Sequence, residues 1–122
     1  MRSINGMTGE GGVHNQLTKE EYNTECDSQF LIDLFCDVFF GGIPKPELRY
    51  INTTQNGNMR GHCSSSGVNG VIFLSHDVAG LVLHELAHCV VWNSYKATGH
   101  CQLFYTTLQS MIDQWRECWR YI

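Results

Sequence analysis

His84-Glu85-Leu86-Ala87-His88 is the run in this 122-residue chain whose residue types and spacing specify chemistry together. It reads H-E-x-x-H. Two histidines four apart on a helix project from the same face, so both imidazoles can reach one ion at about 2.0–2.1 Å. Glu85, beside the first of them, leans toward water on that ion and can take its proton. The chemistry is metal-assisted hydrolysis with a carboxylate as general base. From Val78 to Trp92 these three are the only strongly polar side chains; the rest are apolar, Gly or Cys. A helix that is apolar all round is a buried helix. Placing an ionisable trio inside it costs several kcal/mol unless something pairs with it, and a cation would do so. The bland alternative is two core histidines satisfied by backbone carbonyls.

A catalytic zinc takes three protein ligands and keeps one position for water. His100 is the best third ligand, twelve residues after His88 across a loop whose Gly99 can turn the chain back. Asp113 or Glu117 would serve instead in a carboxylate-ligand arrangement. His62 and His76 flank the expected strands and read as surface histidines, and His14 sits in a glycine-rich tail. Tyr95 and Tyr105 are both candidates to hydrogen-bond a developing oxyanion, with nothing to select between them. Cys101, next to His100, reads as packing rather than as a thiol–histidine pair.

Several elements must position these residues. Residues 1–16 hold four glycines and no apolar period, which predicts a flexible tail ahead of one domain over 17–122. Thr18 and Glu21 form a T-x-x-E capping box, and Tyr22, Cys26, Phe30, Leu34 and Val38 recur every four residues. That predicts one long helix with the stripe as its core face, stopped by Gly41-Gly42 and by Pro44 and Pro46. Strand-like segments follow at Glu47–Asn52, Met59–Ser64 and Val71–Ser75, predicting an antiparallel meander. Asp77 is placed to cap the H-E-x-x-H helix, which runs to about Tyr95. A last helix covers about Gln102 to Trp119, with Leu103, Tyr105, Leu108, Met111, Ile112 and Trp115 as its packing face. The order is α+β: an N-terminal helix, a three-stranded antiparallel sheet, the H-E-x-x-H helix and a C-terminal helix.

Composition bounds the rest. The length suits one domain, and eight Lys+Arg against twelve Asp+Glu leave a net charge of -4 with no basic run for nucleic acid. No apolar stretch approaches the roughly 20 residues a membrane span requires. With no export signal at the N-terminus, the expectation is a cytoplasmic protein whose six cysteines stay reduced and mostly act as small buried hydrophobes.

With these residues in view, the chain resembles the SprT-like (Spartan) zinc metalloprotease family over most of residues 20–115. The resemblance lies in an opening helix, Phe-Phe-Gly-Gly-Ile-Pro at 39–44, a strand at 48–52 and Gly61-His62-Cys63. It continues through Val71-Ile72-Phe73-Leu74-Ser75, Leu83-His84-Glu85-Leu86-Ala87-His88, Trp92, and Gly99-His100 with Phe104 behind it. The resemblance implies a minimal zincin-like fold and a zinc peptidase, with His84, His88 and His100 as Zn2+ ligands and Glu85 as general base. Relatives act on proteins bound to DNA and carry DNA-binding segments or a zinc ribbon, neither of which is read in this chain. The expected partner is a protein or peptide substrate and no membrane; DNA enters only through the resemblance, and the acidic balance departs from what a DNA-directed protease would want. A substrate strand is expected to add beside Val71–Ser75. Two other classes stay open: a non-enzymatic zinc-stabilised binding module, and a DNA-associated accessory protein.

Overall fold

The computed structural model describes residues 17–51, 61–64 (main chain only) and 70–118; the expected tail over 1–16 lies outside them. Within this frame α1 spans Lys19–Tyr22 and α2 Ser28–Leu34, the latter running into a π-helical turn over Phe35–Phe39. The strands are β1 (Glu47–Tyr50), β2 (Gly61–Ser64) and β3 (Val71–Leu74), followed by α3 (Ala79–Tyr95) and α4 (Gln102–Cys118).

The long first helix expected from the four-residue stripe is instead broken. The capping box forms: the Thr18 hydroxyl accepts from Glu21 N–H, and Glu21 accepts from Thr18 N–H. The helix then ends at Asn23, because residues 24–26 spend their main chain elsewhere. Cys26 N–H donates to the Asp77 carbonyl, Ala79 N–H donates to the Thr24 carbonyl, and Glu25 bridges Val78. Asp27 restarts the helix by accepting from Phe30 N–H. The break rotates the buried face. Leu31, Ile32, Phe35 and Cys36 are buried, whereas Phe30 and Val38 of the stripe are 43% and 63% exposed. Gly41 and Gly42 stop the segment as expected, both at positive φ (71° and 89°) where a side chain would strain the backbone.

The sheet is mixed and not the antiparallel meander the sequence suggests. Its order is β1-β3-β2, with β1 parallel and β2 antiparallel to β3. The apolar Val71-Ile72-Phe73-Leu74 takes the centre, where both edges are paired and one face can be buried. The more polar Gly61-His62-Cys63-Ser64 takes an edge. The strand expected to receive substrate therefore has no free edge. Ile72 and Leu74 point into the core, and α3 packs against β2, β3 and α4.

α3 is buried nearly all round, as an apolar helix must be. Its N-cap is Val78, not Asp77. The Asp77 carboxylate instead accepts from the Ser28 hydroxyl at 2.6 Å and the Tyr50 hydroxyl at 2.7 Å, joining the starts of α2 and α3 to the end of β1. α4 is amphipathic with Phe104, Leu108, Met111, Ile112 and Trp115 inward. Its first turn differs from expectation: Phe104 is fully buried and Leu103 is 40% exposed.

Candidate metal centre

The middle turns of α3 carry the two histidines of the motif, one turn apart and aimed alike. Leu83, Leu86, Ala87, Val90 and Val91 on the remaining faces are buried, so the helix cannot rotate to present another side. It ends at Lys96, which adopts the left-handed conformation (φ 56°). The chain turns back through Gly99 at φ 77°, with Ala97 and Cys101 packed on the core at either side. That turn returns His100 to the motif just before α4 begins.

The three histidines converge. One ring nitrogen from each of His84, His88 and His100 lies within 4.8 Å of the other two, a spacing fit for one metal ion. His84 Nε2 and His100 Nε2 are 3.2 Å apart. Two nitrogens bound to one tetrahedral zinc at ordinary bond lengths are separated by about 3.3 Å. The ring centroids form a nearly equilateral triangle of 5.0, 5.0 and 5.1 Å. The donor set is all imidazole, which suits zinc and neighbouring first-row transition metals. Three residues thus stand ready to hold a cation.

Glu85 is the remaining charged residue of the H-E-x-x-H run. Its side chain is only 7% exposed, and among the described residues nothing hydrogen-bonds its carboxyl. Burial alone pushes its pKa up to about 7. The Tyr22 phenol is raised as well, first by its own burial and then by the Glu85 charge, which places α1 close behind the motif. A buried carboxyl without a partner is expensive, and a cation nearby would lower that cost.

Of the alternatives, Asp113 is exposed on α4 and accepts from the Gln109 side chain, and neither it nor Glu117 joins the histidine cluster. The His76 ring contacts the Ser75 hydroxyl at 2.7 Å and also stays outside the cluster. His14 and the His62 side chain lie outside the described residues. Between the two tyrosines, Tyr105 stacks on His100 with centroids 6.2 Å apart. Tyr95 is 59% exposed at the end of α3. Cys101 packs against the core, as expected. Phe104 is the residue that the spacing of polar groups did not single out as part of the centre. Its ring touches all three histidines, and its position four residues after His100 was the available signal.

Among the described residues no helix is long and apolar enough to cross a membrane. Compared with known proteins, the chain matches no family model, no curated protein and no solved structure, so the centre is read from its own geometry.

Proposed function

We propose that this protein is a zinc-dependent endopeptidase with a zincin-like fold of the SprT-like type, hydrolysing peptide bonds of protein substrates. The observation that carries the reading is the convergence of His100 on His84 and His88, with Glu85, next to His84 in the motif, buried and without a hydrogen-bond partner among the described residues. Any three histidines can hold a metal. An H-E-x-x-H glutamate held in a dry position beside them adds a base, and the combination is that of a hydrolase.

Zinc bound there supplies a Lewis acid that polarises a carbonyl and acidifies water. The protein's own groups do the remainder. His84, His88 and His100 would hold the ion. Glu85 accepts a proton from the attacking water and passes it to the leaving amine, so the carboxylate is regenerated at the end of each turnover. Its apolar surroundings keep competing water away from that proton. Tyr105, whose ring stacks on His100, is the candidate to donate a hydrogen bond to the carbonyl oxygen under attack. β2 is an edge of the sheet and packs beside α3, so an extended substrate pairs there and not with β3. Proteins held on DNA are the substrate class that the family resemblance adds to this reading.

The test is Glu85→Gln in zinc-loaded protein, assayed on an unfolded protein substrate. The reading expects bound zinc to remain and cleavage to fall by about 10²–10⁴-fold, the range that general acid–base catalysis supplies. Undiminished cleavage, or a native protein that cuts nothing, overturns the enzyme in favour of a zinc-stabilised binding module.

A further inference from the structure

Phe104 sits at the first turn of α4 with no exposed surface. Its ring lies 4.3 Å from the His88 ring and nearly parallel to it, at 26°. It meets His84 edge-on at 5.0 Å and His100 edge-on at 4.9 Å. The four rings are therefore mutual neighbours, each centroid within 5.1 Å of the other three. Phe104 is the member of this group that has no nitrogen to give.

We propose that Phe104 is a positioning residue for the metal centre, its ring holding the three imidazoles at the separation a small divalent cation needs. A histidine swings about two torsions, and the second of these is broad. Three free imidazoles must each surrender that freedom when an ion binds, and the loss is charged against affinity. A flat, immobile ring packed on all three removes the freedom beforehand. Offset and edge-on contacts are the arrangements that aromatic quadrupoles favour, so the ring holds orientation as well as volume. Phe104 offers the ion no donor and cannot compete for it. His100 depends on it most, being the exposed ligand delivered from a loop, whereas His84 and His88 are already fixed by α3. The inference rests on the metal centre and is independent of whether that centre cleaves peptides.

Phe104→Leu keeps an apolar side chain of similar bulk and removes the ring. Phe35→Leu, at another fully buried phenylalanine on the π-helical turn, controls for general loss of core packing. Zinc dissociation constants are measured by chelator competition, and the visible spectrum of the Co2+-substituted protein reports ligand geometry. The expected result is zinc binding weakened about tenfold or more by Phe104→Leu, the scale on which supporting residues act at metal sites, with an altered Co2+ spectrum. Phe35→Leu is expected to bind zinc as the native chain does while losing comparable stability. Native zinc affinity in Phe104→Leu, or an equal loss in Phe35→Leu, overturns the proposal. Should Phe104→Leu not fold, Phe104→Met carries the same comparison with the same two outcomes. A native chain that takes up no zinc overturns the centre and this inference together, whereas an inactive chain that binds zinc overturns only the peptidase.

Discussion

A carboxylate gripped by two nitrogens of one guanidinium gives up its proton far more readily than a free one, and Glu21 is gripped in that way. Arg116 Nε and Nη2 each lie 2.9 Å from one of its oxygens, while the same carboxylate closes the capping box on Thr18. The guanidinium is the main cause that holds its pKa down at about 2, below its ordinary 4.5. A depressed carboxylate stabilises the fold above its unfolded pKa and ceases to do so as pH falls through the folded one. Stability should therefore drop between about pH 4.5 and pH 2, and Glu21→Gln should flatten that part of the profile in urea titrations. With both side chains partly in solvent, the loss at neutral pH is about 1 kcal/mol. An unchanged acid limb in the variant would contradict the assignment. The capping box was legible from T-x-x-E alone, but its partner 95 residues away was not, because no local pattern marks a long-range ion pair. At the centre a similar limit applied. His84, Glu85, His88 and His100 stand out in sequence as polar groups in apolar or glycine settings, whereas Phe104 is marked only by its place four residues after His100, and its contact with all three rings shows only once they are placed.

Among the elements, α1 and the extended stretch after it act as a strap across the start of α3. The Tyr22 ring lies directly on Gly80, where a Cβ would overlap the ring itself. Gly80→Ala should therefore destabilise the protein by about 1–3 kcal/mol through overpacking, although alanine is the better helix former. In a Tyr22→Ala background the same change should cost little or nothing, because the obstructing ring is gone. Equal costs in both backgrounds, read from denaturation midpoints, would contradict the contact. The strap explains why the periodicity of the first segment misled. Tyr22, Cys26, Phe30, Leu34 and Val38 fit one helix, but the main chain between Asn23 and Asp27 is committed to Val78, Asp77 and Ala79. Tertiary pairing won over local period. The sheet went astray for a similar reason. Three closely spaced strands suggest a meander, yet the most apolar one gains most from a central place, and it went between its two predecessors. α3 and α4 were legible because long apolar or amphipathic runs carry many residues of consistent signal.

At the scale of the whole molecule, the architecture serves one turn of chain. α3 is locked by its buried faces, α4 is packed on α3, and the short connection between them returns His100 to the motif. Charge adds little to this. With a net charge of -4 and no basic run in the sequence, the proposed activity is argued from the centre itself. The mixed helix-and-strand class and the clustering of His84, His88 and His100 were both within reach of the sequence, because long apolar helical runs and a few histidines at defined spacings are legible locally. The relation of the strands and the floor beneath the histidines were not, since apolar packing leaves no such signature. Both proposed roles, peptidase and preorganised metal centre, require the cation. Zinc per chain should be measured in protein purified without added metal, for the native chain and for His100→Ala side by side. One zinc per native chain, lost or markedly weakened in the variant, is the predicted result. A folded native chain that carries no zinc and takes up none on titration would contradict it, leaving the three histidines as neighbours with no ion to share.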